Sequence, residues 1–290
     1  MNKLLVFSLL LALSSGVFAQ HHKVVHANKQ HVEQFFNTKT MVVLDASPFS
    51  IYNVAIREAM EKHWTITPYE IITHEQFDAR MLNNPEYSFI WKPTVERRRD
   101  RERVHYLFMD VILGGRTKKG LSDKPVLVSI PLAYTGVDAD DYLQKLPLMV
   151  RFVQLHINNM KAAKNPKSLR NLSNYNKTNS IRLKDMTLLV QQGDLSQEVN
   201  TLEKIRAVYP GVVKIVELEE LAKAITEKAP NTAVLHQIGP AEDENEGLSW
   251  RQIYGTEDAK LYFFRHDRIR ERRPQGLLAR DFRNIRGKLF

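Results

Sequence analysis

Residues 41–93 read MVVLDASPFSIYNVAIREAMEKHWTITPYEIITHEQFDARMLNNPEYSFIWKP, and residues 186–240 read MTLLVQQGDLSQEVNTLEKIRAVYPGVVKIVELEELAKAITEKAPNTAVLHQIGP. Each opens on a short β-branched run, 41–44 in one and 186–190 in the other, suited to a buried strand. In the first, Ser47 and Pro48 mark a helix start, and Ile51, Val54, Ala55, Ala59 and Met60 recur near helical spacing. Pro68 breaks that pattern, residues 69–72 form a second strand, Phe77, Ala79 and Met81 mark a second helix, and 87–91 is a third strand. The second stretch repeats the order: a helix carrying Leu202, Ile205 and Val208, a strand at 212–216, a helix at 218–228 and a strand at 232–235. Met41 and Met186, Tyr69 and Val213, Pro85 and Pro230, and Pro93 and Pro240 lie 144 to 147 residues apart. Periodic self-similarity of this kind predicts a duplicated folding unit.

Working outward, residues 105–113 and 125–132 flank a turn-rich loop and predict a hairpin, with 259–264 as the counterpart strand in the second copy. Tyr142, Leu146, Met149, Val153, Ile157 and Met160 predict one long helix over about 138–164, kinked at Pro147. From Lys161 to Lys184 there are seven basic residues and no acidic one, which predicts a mobile connector. A closing helix is expected over 277–285. The expected fold is α/β, a tandem duplication of a small β-α-β-α-β-β unit, each copy a mixed sheet with helices packed on it. Its two domains are joined by the long helix and the basic linker. The boundaries are a signal peptide at 1–19, an N-terminal tail at 20–39, a first domain at 40–164, the linker at 165–184 and a second domain at 185–290.

Lys3, the apolar run 4–13 and the small residues before Gln20 have the form of a cleavable export signal. No later stretch reaches the length of a membrane-spanning helix, so no transmembrane segment is expected in the mature chain. The protein is expected in the periplasm or secreted. Cysteine is absent from all 290 residues, which excludes disulfides, thiol catalysis and cysteine-ligated metals. Stability must come from burial.

The formal net charge is +9. Export argues against nucleic acid as the partner, so the charge points to a protein or an anionic envelope component. Arg97, Arg98 and Arg99 belong to one charge block, residues 241–246 are acidic at the equivalent place in the second copy, and residues 265–273, with Arg268, Arg270, Arg272 and Arg273, form a second basic block. With Lys167 and Arg170 of the linker these are the candidate binding residues. Trp250 and Tyr254 are expected in a loop, where they would line a binding surface.

Chemistry is less evident. Asp45 ends the first strand, where open α/β sheets place ligands and catalytic groups. The run 42–47 resembles the opening of haloacid-dehalogenase-type phosphatases, whose motif has a second aspartate two residues on. Ser47 stands there instead, and Asp45 reads more simply as a helix cap. Gly115 and Gly120 have phosphate-loop spacing, but Leu121 replaces the required lysine. His22 and His26 are weak metal candidates within a terminal tail. No cofactor is expected. The leading expectation is a non-enzymatic protein presenting two charged α/β domains to an envelope or protein partner. The alternatives are a solute-binding protein for an anionic ligand and a divergent hydrolase using Asp45.

Overall fold

A computed structural model describes residues 24–96, 105–135, 140–240 and 247–285. The first sheet contains β1 (Lys39–Val43), β2 (Tyr69–Ile72), β3 (Tyr87–Trp91), β4 (Thr94–Glu96), β5 (His105–Leu113) and β6 (Val126–Tyr134). Its order is β2-β1-β3-β5, with β6 on the far side of β5 and β4 beside the start of β5. The second sheet contains β7 (Thr187–Val190), β8 (Val212–Ile215), β9 (Thr232–Ile238), β10 (Leu248–Gly255) and β11 (Leu261–Arg268), in the order β8-β7-β9-β10-β11. In each sheet the first three strands are parallel and the last two antiparallel. Thr40 pairs with Tyr69 and Ser88 as Thr187 pairs with Val212 and Thr232. Apart from β4, which has no counterpart among the described residues, the two halves therefore share strand order and direction, and their parallel strands share register.

The helices are α1 (Lys29–Phe35), α2 (Ile51–His63), α3 (Ala79–Leu82), α4 (Asp140–Ala162), α5 (Asn176–Asn179), α6 (Leu202–Val208), α7 (Leu218–Thr226) and α8 (Ala279–Ile285). Alternation along the central strands explains their uninterrupted apolar runs. On β1, Met41 and Val43 enter one core while Val42, with Leu44 just past the strand, enters another. On β7, Leu188 and Val190 enter one core while Leu189 enters another. A strand covered on both faces has no solvent side to make polar.

Val42 and Leu189 belong to the same core. That central core also takes Tyr52, Ile56 and Met60 of α2, Leu146, Met149 and Val153 of α4, and Leu221 and Ile225 of α7. Helix α3 covers the outer face of the first sheet, and α6 and α8 cover the outer face of the second. The sheets also meet directly: Trp250 packs edge-on against Tyr106 at 4.7 Å, and Gln252 Nε2 donates to the Pro131 carbonyl at 2.9 Å. The long helix runs through Pro147 and is buried within this shared interior.

Several expectations are corrected. The segment 165–184 is not loose. It forms 3-10 turns and α5, buries Pro166, Leu172 and Leu183, and covers the edge of β11, where Asn176 Nδ2 and Asn179 Nδ2 donate to the Phe264 and Leu261 carbonyls. Part of the expected N-terminal tail is likewise ordered, with α1 burying Val32 and Phe35. Helix α2 starts at Ile51, behind Ser50, one turn later than Ser47 and Pro48 suggested. The second sheet gains a whole strand, β10, where a loop was expected.

Candidate functional site

The parallel strands of each sheet end on one edge, and polar side chains collect there. Asp45 lies two residues beyond β1. Its N–H donates to Asn53 Oδ1 at 2.8 Å, and Asn53 Nδ2 returns to the carbonyls of Asp45 and Ser47 at 3.3 and 3.0 Å, which fixes the turn into α2. The Asp45 carboxylate accepts from Ser50 Oγ and from Lys92 Nζ, each at 2.7 Å. The ammonium of Lys92 also sits 4.4 Å from the centre of the Tyr52 ring, a cation–π contact. Asp45 thus holds Ser50 and Lys92, whereas the expected side-chain cap on α2 is not made. Burial, with the Asp45 charge added, raises the phenols of Tyr52 and Tyr142 well above their ordinary pKa.

Helix α4 links this edge to its counterpart in the second half. One turn after Tyr142, Lys145 Nζ donates to Gln191 Oε1 at 3.0 Å and lies 4.0 Å from Asp194 Oδ2. Gln191 follows β7 as Leu44 and Asp45 follow β1.

The densest cluster lies farther along the second sheet. Arg251 on β10 is 0% exposed. It faces Arg265 on β11, and Asp267 stands two residues along the same strand. Asp267 Oδ2 accepts from Arg251 Nη2, from Arg265 Nε at 3.1 Å and from Arg280 Nη2 at 2.5 Å, while Oδ1 lies 3.8 Å from Arg273 Nη1. Asp281, buried on α8, lies 3.2 Å from Arg251 Nε and 3.5 Å from Arg265 Nη1, and it accepts the Leu278 N–H at 3.1 Å. Burial alone would raise both carboxyls. For Asp267 the guanidiniums of Arg251, Arg265 and Arg280 outweigh that and hold its pKa below the ordinary value. For Asp281 burial prevails over Arg251, and the pKa is raised.

Among the residues expected at a site, Arg273 joins this cluster. Arg270 and Arg273 exchange backbone hydrogen bonds at 3.0 and 2.7 Å, a tight turn that leaves Arg270 and Arg272 exposed. Arg268 ends β11, with Leu248 opposite. Lys167 is exposed, but Arg170 Nη2 is spent on the Ala27 carbonyl at 3.1 Å, away from the turn. Trp250 and Tyr254 lie on β10 and are 3% and 1% exposed, so they fill the core and line no surface. Arg97, Arg98, Arg99 and His22 lie outside the described residues, as does the acidic run 241–246. His26 forms a β-bridge with Val126. Among the described residues no three His, Asp or Glu side chains gather to hold a metal ion, and no helix is long and apolar enough to cross a membrane.

Sequence reading missed Arg251, Arg280, Asp281 and Lys92, and it placed Arg265 and Asp267 only within the basic run 265–273. A signal was present: in Leu248–Gly255 an arginine alternates with apolar positions, and a strand rarely points an arginine inward without a buried partner. No protein-family model matches the chain, and no curated protein or solved structure resembles it significantly.

Proposed function

We propose that the chain is an exported, periplasmic protein that acts by binding, presenting the arginine-rich end of its second half to an anionic component of the envelope. In this reading the two halves are duplicated copies of one unit, fused through α4 and the basic segment that follows, and the second copy carries the arginine turn with its charged cluster. The turn at 270–273 carries the proposal. It holds Arg270 and Arg272 in solvent by a backbone pair, beside Arg273 and the charged cluster beneath it. A guanidinium is suited to this task because its planar fork grips carboxylate and phosphate oxygens in pairs. The overall charge of +9 favours encounter with such a surface.

The test is co-sedimentation of the mature protein with isolated envelope fractions. Wild type should pellet with them and be released by salt. Arg270→Glu combined with Arg272→Glu should lose this association, while Asp45→Asn should keep it. Equal pelleting of all three proteins would reject the reading.

A further inference from the structure

Among the described residues, the cluster around Asp267 does not balance its charge. Four guanidiniums, from Arg251, Arg265, Arg273 and Arg280, surround two carboxylates, from Asp267 and Asp281. Two positive charges are therefore left over around a floor where Arg251 and Asp281 have no solvent contact, with Arg265 and Arg280 partly exposed and Arg273 about half-exposed above it. The hydrogen bonding is incomplete as well. Among the described residues, Arg251 Nη1 and Arg280 Nε are buried nitrogens without a hydrogen-bond acceptor, whereas Arg251 Nε faces Asp281 Oδ2 at 3.2 Å and Asp281 Oδ1 is a buried oxygen without a donor. Arg251 Nη2 and Arg280 Nη2 meet on the same oxygen of Asp267, so their two guanidiniums are neighbours and their open N–H groups lie in one small region. A purely structural ion-pair web is selected for paired donors, because each buried N–H without an acceptor costs about 1–3 kcal/mol. Surplus positive charge together with open donors is what an anion site requires.

We propose that this cluster binds a tetrahedral oxyanion of the phosphate or sulfate type, with Arg251 as its buried floor and Arg265, Arg273 and Arg280 as its partly exposed rim. Asp267 organises the guanidiniums in the absence of the ligand and sets their spacing. A doubly charged oxyanion cancels the excess and offers acceptors to the open N–H groups, which chloride, with no directional lone-pair fork, does poorly. The site rests on the anionic-partner reading and deepens it by naming the group recognised, but it does not need the exposed side chains of Arg270 and Arg272.

The experiment is thermal unfolding of the mature protein in inorganic phosphate, inorganic sulfate, or polyphosphate, each against chloride at equal ionic strength. Binding to the folded state alone makes the unfolding temperature climb with ligand concentration. Phosphate or sulfate should stabilise wild type beyond chloride. Arg280→Gln, at the rim, should weaken that response about tenfold in ligand concentration. Asp267→Asn should melt lower than wild type in chloride and recover more of its stability in phosphate, because its cluster carries one more uncancelled charge. A response to polyphosphate alone assigns the site to an oxyanion borne on a polymer and upholds the proposal. Arg270→Glu with Arg272→Glu should keep the phosphate response even where envelope association is lost, which separates this site from the surface reading. Identical melting in chloride and all three oxyanions, for wild type and Asp267→Asn alike, would overturn it.

Discussion

Arg251 and Asp281 form an ion pair, Nε to Oδ2 at 3.2 Å, in which both side chains are 0% exposed. The pair fastens α8 to β10 and thereby closes the outer core of the second sheet over Phe282 and Ile285. Removing one partner of a buried pair strands the other in a medium that solvates it badly. Asp281→Ala should therefore lower the unfolding free energy by about 3–5 kcal/mol. Urea titration followed by circular dichroism measures it, and a loss below about 1 kcal/mol, the scale of an exposed pair, would show that the pair is solvated.

Asp110 gives a pH dependence of definite sign. It lies on β5 facing Trp91 and Ser129, and its Oδ1 has neither solvent contact nor a hydrogen-bond partner. Burial raises its pKa to about 7, against a hydrogen bond from Ser129 that lowers it. The folded-state value exceeds the unfolded one, so the favourable contribution is complete below about pH 4 and is lost as pH climbs through about 7. Stability should fall across that window by up to about 1.4 kcal/mol per pH unit relative to Asp110→Asn, which cannot ionise. Denaturant midpoints of the two proteins from pH 4 to 8 should diverge; parallel curves would contradict the assignment.

His156 has the opposite sign. It is buried on α4, its Nδ1 is 3.0 Å from the Tyr175 hydroxyl, and burial lowers its pKa to about 4. The imidazole is favoured neutral, so stability is intact above about pH 6.5 and declines as pH falls toward 4. Tyr175 also accepts from Asn159 Nδ2 at 3.3 Å, which ties the segment after α4 back onto that helix. Tyr175→Phe should cost about 1 kcal/mol at neutral pH, the ordinary worth of such a bond. Limited proteolysis should then cut first within residues 165–184; an unchanged cleavage pattern would show that the tie is dispensable.

Trp250 tests whether the halves unfold together. Its ring meets Tyr106 at 4.7 Å and Phe108 at 5.8 Å, both from the first sheet. Trp250→Ala should cost about 3–5 kcal/mol. The loss should appear within one cooperative transition, because the central core draws on both sheets. Two separated transitions, with only one shifted, would show independent domains.

The element order was legible because Val42, Val43, Leu188 and Leu189 are strands buried on both faces and because helical spacing is plain in α4. Strand β10 was not, since Trp250, Arg251, Gln252 and Tyr254 read as a polar–aromatic loop until Asp267, Asp281 and the Pro131 carbonyl are brought to them. The segment 165–184 failed for a related reason. Its apolar anchors are sparse, and its order comes from asparagine side chains bonding β11, which no periodicity reveals. At the candidate site Arg273 was visible in a basic run, whereas Arg251 and Arg280 lie 22 residues before and 7 after it and are joined only by the fold.

The central claim is that the arginine end of the second half meets an anionic surface. The direct measurement is the salt dependence of binding to an immobilised polyphosphate, for wild type and for Arg270→Glu with Arg272→Glu. Contacts between guanidiniums and phosphates release counterions, so log affinity falls linearly with log salt, with a slope that grows with the number of contacts. The account predicts a steep slope for wild type and a markedly shallower one, with weaker binding, for the double variant. Equal slopes and equal affinities would contradict it.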